Sequence, residues 1–169
     1  MRTRKSLFGL VSILILAGLT VFPALAGGVP KPLKSRFVVG DPVWRELPVR
    51  DDLQTNYDRV WQLAVNALLE NNFDIATMDR DSGYIRTTWN EGVVALGGNW
   101  FYKVQVSIKL VSVGSEAAPS KSGVSKVRLQ VAGELTQTGR KGVKEYFRGY
   151  DQVILQNLFQ DLQSKLGTI

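Results

Sequence analysis

The strongest constraint on the fold is a run of strict alternation in the middle of the chain. Between residues 100 and 113, Tyr102, Val104, Val106, Ile108 and Leu110 interleave with Lys103, Gln105, Ser107 and Lys109. Successive side chains of a strand point to opposite faces, so a period of two over this length describes a strand with one buried and one wet face. Residues 124–136 repeat the pattern, with Val127, Leu129, Val131 and Leu135 inward and Lys126, Arg128, Gln130 and Glu134 outward. One-sided strands belong to antiparallel sheets rather than to doubly covered parallel ones. The polar stretch 114–123 (GSEAAPSKSG) between them reads as a flexible connection.

Helical spacing flanks these strands. Thr55-Asn56-Tyr57-Asp58 matches a capping box, and Tyr57, Val60, Trp61, Ala64, Ala67 and Leu68 follow on one helical face. Asn71-Asn72 ends that helix, because Asn tolerates the left-handed conformation. Residues 73–78 alternate as a strand, residues 79–83 (DRDSG) form a turn cluster, and residues 84–89 alternate again, giving a β-hairpin. Residues 137–142 (QTGRKG) turn the chain, and residues 143–148 supply a fifth strand. A final helix over about residues 150–166 buries Ile154, Leu155, Leu158, Phe159, Leu162 and Leu166, with Asp151 as its cap and Gly167 as its stop. The order α-β-β-β-β(-β)-α predicts an α+β domain over residues 55–169. Its antiparallel sheet has four to five strands, with two helices packed on one face.

The N-terminus has a separate character. A basic start (Arg2, Arg4, Lys5), an apolar run of 16 residues over positions 7–22, Pro23 and then Ala24-Leu25-Ala26 follow the order of a cleavable secretory signal. The run is short of the roughly 20 residues of a membrane span. Residues 1–26 are therefore read as a signal peptide and residues 27–54, rich in Pro and Gly, as a tether of low order, in which a short extended piece, residues 36–39 or 43–47, adds to a sheet edge. The chain contains no Cys, so neither lipidation at the cleavage site nor a disulfide is available to it. Residues 1–26 hold three of the 21 basic residues and none of the 15 acidic ones, leaving 18 against 15. That near balance, without a basic cluster on one face, argues against a nucleic-acid partner.

Candidate chemistry is sparse. With no His and no Cys, imidazole-based triads, imidazole metal ligands and thiol nucleophiles are absent. Asp79 and Asp81 read as turn residues that bond their own backbone. A calcium loop would need further carboxylates and a distal Glu in register, which DRDSGY lacks. No phosphate-cradling Gly motif occurs. The expectation is a non-enzymatic protein without cofactor or metal. Two surface features invite a partner. Residues 90–99 (NEGVVALGGN) read as a projecting apolar loop, with Trp89, Val93, Val94, Leu96, Trp100 and Phe101 as partner contacts. The turn carrying Arg140, Lys141 and Lys144 reads as a contact for anionic lipid head groups.

Val60-Trp61 on the first helix, followed by Asp79-Arg80-Asp81-Ser82-Gly83-Tyr84-Ile85-Arg86-Thr87, resembles the repeat unit of the BamC family of outer-membrane assembly lipoproteins. The likeness is closest over residues 57–89 and extends loosely to residue 166. It implies a helix-grip fold and a role assisting outer-membrane protein assembly. The expectation is thus an exported, unlipidated interaction or scaffold module of the bacterial cell envelope. Its place would be the periplasm or the periplasmic face of the outer membrane, with an envelope protein as partner. The alternative is a periplasmic carrier of an apolar ligand held between sheet and helix.

Overall fold

The computed structural model describes residue 29 and residues 31–95, 99–114, 119, 123–139 and 141–167, apart from the side chains of Pro32, Val93, Val94, Ala95, Asn99 and Lys144. The expected signal peptide, residues 1–26, lies outside the described residues, as do Leu96, Arg140 and most of the 114–123 connection.

The protein is α+β, built on a large antiparallel sheet. The two alternating runs become β6 (Asn99–Ser112) and β7 (Val124–Gly139), which pair along their length with Tyr102 opposite Leu135 and Leu110 opposite Val127. Because this register puts apolar residues opposite apolar ones, one face of the pair is continuously buried. Two strands share the outer edge of each. Beside β6 lie β4 (Tyr84–Thr87) and β5 (Asn90–Ala95), and beside β7 lie β2 (Arg45–Pro48) and β8 (Gly142–Asp151). β3 (Ile75–Asp79) flanks β4, and β1 (Phe37–Val39) flanks β8.

The sequence predicts four or five strands; eight occur among the described residues. Two of the additional strands come from the segment expected as a tether. Its prolines interrupt a helix but not an edge strand: β2 ends on Pro48, and Pro42 lies between β1 and β2. Leu33, Phe37, Leu47 and Val49 from this segment sit in the core, so over its described residues it is part of the domain. The third addition, β5, corrects the expected loop over residues 90–99. Val93 pairs with Phe101 and Gly92 with Tyr102, so the segment doubles back as a hairpin.

Short α1 (Asp51–Gln54) leads into α2 (Tyr57–Glu70), and α3 (Gln152–Leu166) closes the described chain. The expected Thr55 cap of α2 is corrected to Asn56, whose side chain accepts from the Arg59 N–H at 3.1 Å. Thr55 is already helical as the end of α1, which rules it out as an N-cap. Asn72, at φ 59°, takes the left-handed position beyond the helix as expected. α3 lies over β7 and β2 and packs beside α2. Lys165 clamps the two helices, reaching Glu70 at 2.7 Å and Asp161 at 2.5 Å. Leu155, Leu158, Leu162 and Leu166 are buried against the sheet's apolar face, with Val60, Ala64 and Leu68 of α2 in the same core.

The DRDSG turn has a structural job. Asp79 accepts from the Ser82 N–H at 3.1 Å, which holds its carboxyl below the usual range, and Arg80 pairs with Asp58 at the start of α2. The Tyr57 hydroxyl donates to the Arg80 carbonyl, tying turn to helix. Part of the motif behind the family resemblance is accounted for by this tie.

Candidate functional site

Helices cover the even-numbered face of β6. Its odd-numbered face is buried further along, at Ser107 and Val111, but stays open around Phe101, Lys103 and Gln105. Register alone assembles two rows there. In the first, Glu91 stands opposite Lys103, Lys103 opposite Glu134, and Glu134 opposite Arg148, so charges alternate in sign across β5, β6, β7 and β8. Opposite charges on directly opposed residues stabilise a sheet by about 0.2–1 kcal/mol per pair. The second row holds Val93, Phe101, Thr136 and Tyr146. A groove of about 500 Å³ runs along the two rows.

Within this groove Lys103, Glu134 and Tyr146 satisfy one another. Lys103 Nζ lies 2.8 Å from Glu134 Oε2 and 4.6 Å from the centre of the Trp89 ring. Burial alone would raise the Glu134 carboxyl, but the bonds from Lys103 and from the Tyr146 hydroxyl hold it below its ordinary value. The same Glu134 bond lifts the Lys103 ammonium, and burial followed by Glu134 lifts the Tyr146 phenol. Phe101 and Tyr146 remain 47% and 49% exposed, large for rings on a charged surface. An ion-paired floor with two open aromatic rings suits contact with a partner that is itself part apolar and part polar.

The residues singled out by sequence divide between the two faces. Phe101 is on the open face, and Trp89 is half-buried beneath Lys103. Trp100 is corrected: it is only 7% exposed, faces the core and stacks on Phe147 at 6.3 Å. Its neighbour Phe101 is one residue on, and one residue reverses the face. Val93 and Val94 occupy successive positions of β5, opposite Phe101 and Trp100. Lys141 is exposed in the β7–β8 turn, and Lys144 belongs to β8. Asn99 pairs with Thr138, which brings the β5–β6 and β7–β8 hairpin ends side by side. Sequence reasoning missed Glu91, Glu134, Thr136 and Tyr146. They carry only the generic signal of a wet strand face, and their assembly depends on register.

A second constellation sits where β6 meets α3. Asp151, fully buried, accepts from the N–H groups of Val153 and Ile154 at 2.9 Å each, from Arg36 Nε at 2.7 Å and from the Tyr102 hydroxyl. Arg36 also lies over the Tyr102 ring at 5.3 Å. Burial would lower the Arg36 guanidinium, but its bond to Asp151 and that group's charge keep it raised. Burial, then the bond to Asp151, pushes the Tyr102 phenol far above its usual range. Beside this network a cleft of about 290 Å³ is walled by Phe73, Val104 and Ile154, with Arg36 and Tyr102 as its polar side. Its geometry suits a bulky apolar group with a polar end. Of the cluster, only Asp151 is signalled in the sequence, as a cap.

Among the described residues no group of three or more Cys, His, Asp or Glu side chains is placed to hold a metal ion, and no helix is long and apolar enough to cross a membrane. No protein-family model matches the chain, and no curated protein matches it.

Proposed function

We propose that this protein is an exported, non-enzymatic interaction module of the bacterial cell envelope, working on the periplasmic side without a lipid anchor. The open sheet face is its contact surface. The observation that carries this reading is the groove of about 500 Å³ in which Phe101 and Tyr146 stand exposed over the Lys103–Glu134 pair. Aromatic rings grouped in a groove beside satisfied charges are the kind of surface that anchors a partner. Export is supported by the N-terminal basic, apolar and Ala-x-Ala order, and the absence of His and Cys supports a role without catalysis. The helix-grip arrangement and the service to outer-membrane protein assembly belong to the same proposal, supported by the resemblance over residues 57–89.

Site-specific photo-crosslinking in intact cells tests it. A crosslinking amino acid at position 101 or 146 is expected to capture a discrete envelope protein, whereas one at Gln156 on the outer side of α3 captures none. Equal capture at all three positions, or no capture at 101 and 146, overturns the reading.

The cleft of about 290 Å³ favours a second reading, a carrier of an apolar ligand with a polar end. Native mass spectrometry of the protein released gently from cells would then show a bound mass that Val104→Trp, which fills the cleft, removes.

A further inference from the structure

β5 pairs with β6 along one edge, and among the described residues no strand pairs along its other edge. An unpaired edge is a template for another strand, and proteins ordinarily blunt it with short length, Pro, Lys or a bulge. The other outer strands follow that rule. β1 has three residues and runs into Gly40, β2 ends on Pro48, and β3 carries a register irregularity between Ile75 and Thr77. β5 has only one charge, Glu91, and none of the other devices. It is six residues long (NEGVVA), contains neither Pro nor a basic residue, and pairs with β6 without a register shift.

The direction of its free backbone groups follows from β6. The Val106 N–H donates to Thr87 Oγ1 and the Leu110 N–H to the Gly83 carbonyl, so even-numbered residues of β6 aim their backbone groups toward β4 and β5. Asn90, Gly92 and Val94 face Val104, Tyr102 and Trp100 and take up those bonds. Glu91, Val93 and Ala95 therefore turn their N–H and C=O groups outward.

Both cavities flank this edge. The groove on the open face and the cleft on the core side share Glu91 and Gly92 as lining residues. Successive side chains of an added strand point to opposite faces, so one would reach the groove and the next the cleft.

We infer that the outer edge of β5 is a strand-addition site for an extended peptide segment of another protein, with a bulky apolar side chain at every second position. Those side chains enter the cleft walled by Phe73, Val104 and Ile154. The residues between them lie on the open face beside Glu91, at the β5 end of the groove. A second copy of this chain is a poorer occupant. Paired about a two-fold axis normal to the sheet, its core-side positions are Asn90, Gly92 and Val94, which do not supply a bulky apolar residue at every second position.

Strand addition at β5 presupposes that the protein is an interaction module, and the test separates the two. The full chain is expressed and the form that accumulates is isolated and used to select from a phage-displayed dodecapeptide library. A fluorescein-labelled consensus peptide is then titrated by anisotropy. The expected consensus alternates apolar residues. Glu91→Pro, which removes one outward N–H, weakens binding at least tenfold, whereas Glu91→Gln, which keeps it, changes binding less than threefold. The amides of Glu91 and Val93 become protected from hydrogen exchange on peptide binding. Peptide binding that Glu91→Pro leaves unchanged overturns strand addition while leaving the module reading intact. Failure to select any peptide overturns it as well, and crosslinking at Phe101 and Tyr146 then decides the module reading by itself. Dimerisation of the unliganded protein that Glu91→Pro abolishes also overturns it, because the edge is then filled by a second copy.

Discussion

Asp151 joins three parts of the chain that are far apart in sequence. It caps α3 through the Val153 and Ile154 N–H groups, and it receives Arg36 from the N-terminal segment and Tyr102 from β6. Asp151→Ala leaves Arg36 half-buried without its counter-charge, the Tyr102 hydroxyl buried without an acceptor, and two helix N–H groups unpaired. Arg36 is exposed enough to be rehydrated, so the loss comes chiefly from the orphaned Tyr102 hydroxyl, about 1–3 kcal/mol, and the lost cap, about 1 kcal/mol. Asp151→Asn keeps the cap, worth about 1 kcal/mol, and is expected to cost clearly less. Urea unfolding of the three proteins checks the order. The tyrosines give a second prediction at this scale. Burial raises the Tyr57 phenol from 10.0 to about 12, and Tyr102 is raised further. A group whose folded value is raised contributes stability that is complete below its unfolded value and is lost as pH rises through the folded one. The urea midpoint is therefore expected to hold to about pH 10 and to fall between about pH 10 and pH 12. Tyr57→Phe should flatten that fall, whatever it does to the midpoint at pH 8. An unchanged slope in the variant would show that Tyr57 is not one of the titrating groups.

At the scale of elements, the joint between β4 and β5 determines whether the open face exists. β6 runs on while its partner changes from β5 to β4, and Thr87 closes the gap: its buried hydroxyl accepts from the Val106 N–H at 2.9 Å and donates to the Thr88 carbonyl at 2.9 Å. Thr87→Val has nearly the same shape but orphans the Val106 N–H, which costs about 1–3 kcal/mol, whereas Thr87→Ser keeps the bond. Hydrogen exchange should show the Val106 amide opening faster in Thr87→Val alone. A glycine pair governs the other flank. Gly133 lies opposite Gly149, and an added Cβ on Gly149 would sit 1.9 Å from the Val38 carbonyl oxygen, while one on Gly133 would meet the Phe37 ring at 2.9 Å. A ring edge can shift and a paired backbone cannot, so Gly149→Ala is expected to lower the thermal midpoint more than Gly133→Ala. The strands that read clearly from sequence are those with unbroken alternation, β6 and β7, where one face is wholly buried. β5 did not, because Gly92 and the run Val93-Val94-Ala95 break the alternation that marks a one-sided strand. The candidate site was legible only in part for a related reason. Phe101 stands out as an aromatic next to an apolar segment, but Glu91, Lys103, Glu134 and Tyr146 become neighbours only once the register is known.

For the whole molecule, the segment before α2 sets what counts as the domain. Composition predicts a tether there, since Pro and Gly at that density prevent a helix, yet Leu33, Phe37, Leu47 and Val49 are buried in one core with α2 and α3. Propensity could not reveal this, because short edge strands are held by the sheet they join and not by their own preferences. The chain has entered the core by Val29, three residues past Ala26. Cleavage after Ala26, as proposed, would leave every one of these contacts in place. Removing residues up to 50 would not. It deletes β1 and β2, takes Arg36 from Asp151 and removes the four core side chains named above. Each large apolar residue lost from a core costs about 2–5 kcal/mol, and a domain has only about 5–15 kcal/mol in total. A chain beginning at Gly27 is therefore expected to unfold cooperatively in urea and to give dispersed amide resonances. A chain beginning at Asp51 should give collapsed, undispersed spectra, and one beginning at Asp41, which keeps β2 but loses β1 and Arg36, should fold with a lower midpoint. Equal midpoints for the chains beginning at Gly27 and Asp51 would mean that the first segment is a tether after all, merely resting on a core that is complete without it.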